Sequence, residues 1–112
     1  MNETTTQSAS AVLELVLLEA RDPNTQRLPS AMARALPLLQ AAQGYLAHRF
    51  GPCVEEPGRY ALLIWWNLLE DHVVAFRQSA AYGEWRALLD ENVVEDSHVR
   101  HYRLPMTDCG TP

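Results

Sequence analysis

Three observations in this 112-residue sequence predict one α+β domain of order β-α-β-β-α-β, the ferredoxin-like split βαβ arrangement. Apolar runs of strand length alternate with longer stretches of helical periodicity, and glycine, proline and acidic turn residues fall between them. The strand candidates are also apolar on both alternating faces. The order implies a four-stranded antiparallel sheet with both helices on one face. The second apolar face implies a homodimer through the open sheet, two chains closing into an α/β barrel.

Residues 11–19 are Ala, Val and Leu interrupted by Glu14 and ending in Glu19, just before Asp22 and Pro23. The run is too short for a typical helix and reads as a buried strand, although a helical period also fits so short a segment. Leu28, Met32, Leu36 and Leu39 then follow at spacings of four, four and three, which line one helix face. Pro29 suits a first turn, whereas Pro37 predicts a kink or an early end, and Gly44 supplies a stop. Residues 45–50 read as the second strand, disrupted by Gly51 and Pro52. Glu55, Glu56, Pro57 and Gly58 form a turn signal before residues 59–66, the clearest strand of the chain, so strands two and three make a hairpin.

Asn67 with Glu70 three residues on matches a helix start. Helical patterning runs to about Val94, with Leu69, Val73 and Phe76 on one stripe and Tyr82, Trp85, Leu88 and Leu89 on another, and a bend is expected at 79–83. Residues 97–104 alternate and end at Pro105, as a fourth strand would. The domain therefore spans 11–105. Residues 1–10 and 106–112 are polar and aperiodic, and are expected to be disordered tails.

Composition narrows the function classes. The sequence is 47% hydrophobic and 21% charged, as ordinary globular domains are. Nine basic residues, all Arg and spread along the chain, stand against 14 acidic ones for a net charge of −5, which argues against a nucleic-acid or anionic-membrane surface. The apolar stretch 12–18 is broken by Glu14 and has no basic flank, so neither a signal peptide nor a membrane span is expected, and cytoplasmic location follows by default. Cys53 and Cys109 have no metal-ligand or disulfide spacing and read as free thiols. Without a glycine-rich phosphate loop, dinucleotide fingerprint or nucleophile elbow, neither a nucleotide cofactor nor covalent hydrolysis is expected.

In strand three the alternating sets are Tyr60, Leu62, Ile64, Trp66 and Ala61, Leu63, Trp65; in strand one they are Val12, Glu14, Val16, Leu18 and Leu13, Leu15, Leu17, Glu19. A face left to water would carry a polar row. Exposing these side chains would forgo roughly 1.5–3 kcal/mol each, which is the physical case for the homodimer.

His72 stands out as candidate chemistry. In a helix it lies three residues after Leu69 and four before Phe76, at the buried stripe, where an imidazole can act as a base near neutral pH or hydrogen-bond a phenol, or can simply close the helix against the hairpin. His48 shares a strand side with Leu46 and Phe50, and His101 with Val99 and Arg103. Convergence of His48, His72 and His101 would give three nitrogens for a metal, but no carboxylate or Cys spacing supports it, so a pocket polar on one wall is expected and no metal site. Trp65 and Trp66 must project to opposite faces, so only one lines a given pocket, and the register decides which. Tyr102 is a further candidate for the lining. Arg77, Arg86, Arg100 and Arg103 can orient a carboxylate or stabilise an enolate or phenolate.

The residues also resemble a family, the dimeric α/β-barrel proteins related to antibiotic-biosynthesis monooxygenases. The likeness runs from Val12 to Leu104. It rests on the first strand and helix, on Gly44 and Tyr45 leading into strand two, and on Trp65, Trp66, Asn67, Leu68, Leu69, Glu70, Asp71 and His72 with Phe76, Arg77, Ser79 and Trp85 behind them. The resemblance implies a small oxygenase or isomerase that needs no cofactor, acting on a small aromatic or polyketide-like molecule between sheet and helices. Asn67, Trp65 and Trp66 look like counterparts of the family's site residues by position after strand three; with the reading of the residues above, catalytic roles are expected for His72 and Asn67 and a lining of His48, Trp65, Trp66, Phe76 and Tyr102. Because the family also contains haem-degrading enzymes and members without known activity, a non-catalytic dimeric binding or stress-response protein and a haem-binding protein are the alternatives.

Overall fold

The computed structural model describes residues 11–94 and 98–103, apart from the side chain of Val73. Strands β1 (Val12–Glu19), β2 (Tyr45–Pro52), β3 (Arg59–Trp66) and β4 (His98–Tyr102) form one antiparallel sheet in the order β2-β3-β1-β4. Helix α1 (Arg27–Gln40), a π-helical turn (Asp71–Phe76) and helix α2 (Ala80–Asp90) complete the β-α-β-β-α-β order expected from the sequence. The sheet is open, not closed on itself. The predicted tails and the strand ends at Ser97 and Leu104 lie outside the described residues.

Side-chain alternation divides the sheet. Val16 and Leu18 of β1 and Leu62, Ile64 and Trp66 of β3 form one core with Leu28, Ala31, Met32, Ala35 and Leu39 of α1 and Trp85 and Leu89 of α2. Leu13, Leu15, Leu17, Leu63, Trp65 and Tyr102 lie on the other side, which no described element covers. The register sets His48, Ile64, Glu14 and His101 in one row across the helix-covered face.

Several local expectations change. Helix α1 runs through Pro37 without ending. That residue is exposed, so the carbonyl it fails to bond faces solvent, and Pro29 sits in the first turn as anticipated. Strand β2 continues through Gly51 and Pro52, paired with Ala61 and Tyr60; it is an edge strand, where a proline is tolerated. A bulge between Tyr45 and Ala47 displaces Leu46 from the alternation.

Asn67 and Glu70 make no capping box. Instead the buried Asp71 carboxyl accepts from the Leu68 backbone N–H at 2.9 Å and from Gln43 Nε2 at 3.0 Å, latching the turn before β2 to the turn after β3. Gly44, at φ +80, leaves the space that this carboxyl fills. Leu69 is consequently exposed rather than part of the buried stripe. The bend expected at 79–83 is a helix start: Ser79 is extended, and its hydroxyl accepts from the Tyr82 N–H at 3.2 Å.

Candidate functional site

Between the covered face, the π-helical turn and α2 lies a cavity of about 360 Å³, near the lower end of the ~300–1,000 Å³ usual for small-molecule sites. Its walls combine apolar side chains, among them Val16, Leu62, Ile64, Phe76, Trp85 and Leu89, with the charged Arg21, Arg77, Arg86 and Asp90. Backbone bonds from Arg21 to Asn92 and from Val94 to Glu19 close one end by tying the exit of α2 to β1.

Two deeply buried polar side chains reach this space from opposite walls. Glu14 comes from the middle of β1, on the row of Val12, Val16 and Leu18, and is 6% exposed. His72 comes from the π-helical turn and is 4% exposed. Glu14 Oε2 lies 3.3 Å from His72 Nε2, and Glu14 Oε1 accepts from the Trp66 indole N–H at 2.9 Å. On the far edge of the His72 ring, Nδ1 is 2.8 Å from His101 Nε2, brought there because β4 pairs His101 directly with Glu14. Trp66 stacks on His72 at 5.4 Å and fixes its plane.

The π-helical turn explains how one short segment supplies three groups to the cavity. Its i→i+5 closure, Arg77 N–H to His72 C=O at 3.2 Å, widens the helix so that residues four and five apart share a face. His72, Phe76 and Arg77 all line the cavity as a result.

Burial dominates the electrostatics. It pushes the Glu14 carboxyl up to about 7, although the Trp66 hydrogen bond and the Arg77 charge oppose the rise. It pushes the His72 imidazole down to about 4, with His101 and Arg77 acting in the same direction. His101 is lowered too, by burial and then by Arg77. At neutral pH the Glu14–His72 contact is therefore between a neutral imidazole and a carboxyl shared between its acid and its anion. It is not an ion pair. A carboxyl poised near neutrality can take and return a proton at physiological pH, whereas His72 alone would be a weak base.

The candidates from the sequence separate clearly. His72 and Phe76 line the cavity, and Trp66 stands behind them as the donor that orients Glu14. Asn67 lies at the end of β3 outside the lining, its backbone N–H bonded to Gly44 C=O. His48 shares the sheet row but sits two strands from Glu14, ~10 Å by strand spacing, with Nδ1 2.7 Å from the Tyr45 hydroxyl. Trp65 and Tyr102 point to the open side of the sheet, away from this cavity.

Three nitrogens from His48, His72 and His101 therefore do not converge. Glu14, His72 and His101 do bring donor atoms within 4.8 Å of one another. His72 meets Glu14 with Nε2 and His101 with Nδ1, however, so one ion could gather all three only by breaking one of those contacts. The three side chains cluster, with the His72 ring engaged at both nitrogens. Glu14 itself went unread as a site residue because it looked like a break in an apolar strand. The available signal was its place on the same alternating row as Val12, Val16 and Leu18, a carboxyl on a face that must be buried.

A two-layer α+β fold with a cavity between its sheet and helices is the class defined by these elements. No family model matches the chain. It is 35% identical over 92 residues, 82% of this chain and 97% of the other, to the uncharacterized protein YczJ of Bacillus subtilis (strain 168). Its structure is similar to that of an antibiotic biosynthesis monooxygenase-like protein from Bordetella bronchiseptica, with TM-score 0.80 and 29% identity over 87% of this chain and 99% of that one. The fold also matches SnoaB, a cofactor-independent oxygenase from Streptomyces nogalater, with TM-score 0.77 and 13% identity over 91% of this chain and 100% of that one. The chain belongs to the family of antibiotic biosynthesis monooxygenase-like proteins.

Proposed function

We propose that this chain is a cofactor-independent monooxygenase-type enzyme for a small aromatic or polyketide-like molecule, working as a homodimer through the open sheet face. The observation that carries the reading is the buried Glu14 carboxyl at hydrogen-bond reach of His72 on the wall of the cavity between sheet and helices. Glu14 removes a proton from an acidic C–H of the substrate. The carbanion adds to O₂, which it reduces, and a returned proton gives the hydroperoxide. Loss of a second C–H proton as the O–O bond breaks releases water and leaves a carbonyl, so a CH₂ group and O₂ become C=O and H₂O. Arg77, at the cavity beside Glu14 and His72, offsets the negative charge that develops.

Both ring nitrogens of His72 are engaged in the Glu14–His72–His101 chain, which favours acid–base work over axial ligation of haem iron. Oxygen uptake with 1,3-dihydroxynaphthalene, an enolisable bicyclic phenol, tests the proposal. Turnover should fall roughly 10²–10⁴-fold in Glu14→Gln, the usual size of a lost acid–base contribution. Unchanged uptake in Glu14→Gln and His72→Ala would remove both residues from the mechanism. Binding of the naphthol without oxygen consumption would instead identify a non-catalytic ligand carrier.

A further inference from the structure

We propose that Glu14, His72 and His101 form a proton path from the cavity to the β4 edge of the sheet, with His101 as its outer station. The inference rests on the acid–base reading of Glu14 and extends it to a residue that does not line the cavity.

The geometry is sequential. The contacts run Glu14 Oε2 to His72 Nε2 at 3.3 Å and His72 Nδ1 to His101 Nε2 at 2.8 Å, entering the His72 ring at one nitrogen and leaving at the other. Burial decreases along the way: Glu14 and His72 are buried, and His101 is half-buried on a strand that forms the edge of the sheet. No contact is recorded for His101 Nδ1 among the described residues, and the side chain is only half-buried. The charged and titratable neighbours of the path are Glu14 from β1, His101 from β4 and Arg77 from the turn that carries His72; Arg86 and Asp90 of α2 sit across the cavity, bonded to each other at 2.8 Å.

The need for a rear path follows from the shape of the site. A ligand that fills the cavity covers the wall that Glu14 lines, and the contact with His72 Nε2 then gives the carboxyl proton a route on the side away from the ligand. Each transfer balances. The carboxyl O–H passes to His72 Nε2, the His72 Nδ1–H passes to His101 Nε2, and the His101 Nδ1–H passes to water, leaving Glu14 as carboxylate. The reverse sequence returns a proton for the peroxide. An imidazolium at His72 is only a passing carrier, since Arg77 and the surrounding burial both disfavour the charge.

In this role His101 is a positioning residue acting through His72. The decisive measurement is the side-chain ¹⁵N spectrum of histidine-labelled full-length protein as a function of pH. In the wild type, ionisation of Glu14 should shift the signals of both His72 and His101 at one common midpoint. The conservative Glu14→Gln variant should abolish that inflection at both rings, and His72→Gln should abolish it at His101 alone. His101 signals that ignore Glu14 in the wild type, a reading that needs no variant, would overturn the path.

Turnover supplies the second arm. His101→Ala should slow oxygen uptake with 1,3-dihydroxynaphthalene about tenfold or more, with added imidazole restoring it, whereas a purely structural histidine would not be rescued. Coupled ¹⁵N shifts without any naphthol turnover would retire the oxygenase proposal and leave the path standing. Turnover with uncoupled histidines would do the reverse.

Discussion

The two faces of the sheet are built from the same strands in strict alternation, yet they handle polarity in opposite ways. The helix-covered face buries Glu14, Trp66 and His72 and joins them, with His101, in an unbroken line of contacts. The open face shows mostly apolar atoms, and its one deeply placed polar group, the Trp65 indole N–H, has no partner among the described residues. Polar groups shut away from water must find one another, and only the covered face has a second layer to supply the partners. That N–H is already shut away from water within the chain, so the case for a partner on this face rests on its exposed apolar side chains, Leu17 and Tyr102. The covered face carries the candidate chemistry, and the open face is the one that the proposed homodimer would cover.

The sharpest way to break this comparison is to place the same charge on neighbouring residues. Leu62 is 1% exposed in the core, whereas Leu63 lies across the sheet on the open face. Leu62→Arg should prevent folding, because an unpaired cation cannot be accommodated there. Leu63→Arg should fold and should weaken the homodimer roughly a thousandfold, about 4 kcal/mol, read by sedimentation at low micromolar concentration. A wild-type chain that is already monomeric when folded would remove the association half of the argument.

The next effect is smaller and belongs to the covered face alone. Glu14 titrates near 7 when folded against 4.5 for an ordinary carboxyl, so its neutral form favours the fold at low pH and the benefit is lost as pH rises through that window. His72 titrates near 4 against 6.5, so its benefit is present at high pH and is lost as pH falls towards 4. Each contributes at most about 3 kcal/mol, with opposite slopes over an overlapping range. The wild type should therefore show nearly flat stability from pH 4.5 to 6.5. In urea titrations, Glu14→Gln should expose a rise with pH and His72→Gln a fall. Flat profiles in both variants would show that neither group is held away from its ordinary value.

Much of this architecture was legible in the sequence because it depends on period and punctuation. The strands, the helices and the opposed directions of Trp65 and Trp66 follow from spacing alone. What was not legible depends on register and on departures from regular geometry. No spacing rule places His101 opposite Glu14; only the β1–β4 pairing does. A regular helix would carry Arg77 away from His72, and only the π-helical turn brings it to the same wall. Asn67 was favoured as a helix cap, yet the buried Asp71 does the latching through a gap that Gly44 leaves open. A side chain at Gly44 would combine left-handed strain with collision against that carboxyl.

The finest test of the two faces uses the two adjacent tryptophans. Trp66 donates to Glu14 Oε1 in the core, and Trp65 donates to no described group. Trp66→Phe retains an aromatic ring but strands a carboxyl oxygen, so it should cost about 1–3 kcal/mol of stability. Because the lost bond favoured the carboxylate, Glu14 should also titrate above 7, moving any pH–rate profile upward. Trp65→Phe removes a donor that bonds no described group, so urea denaturation of the monomeric Leu63→Arg background should barely register it. Equal losses from the two substitutions in the monomer would mean that the Trp65 N–H is satisfied within the chain, and the contrast between the two faces would then fail.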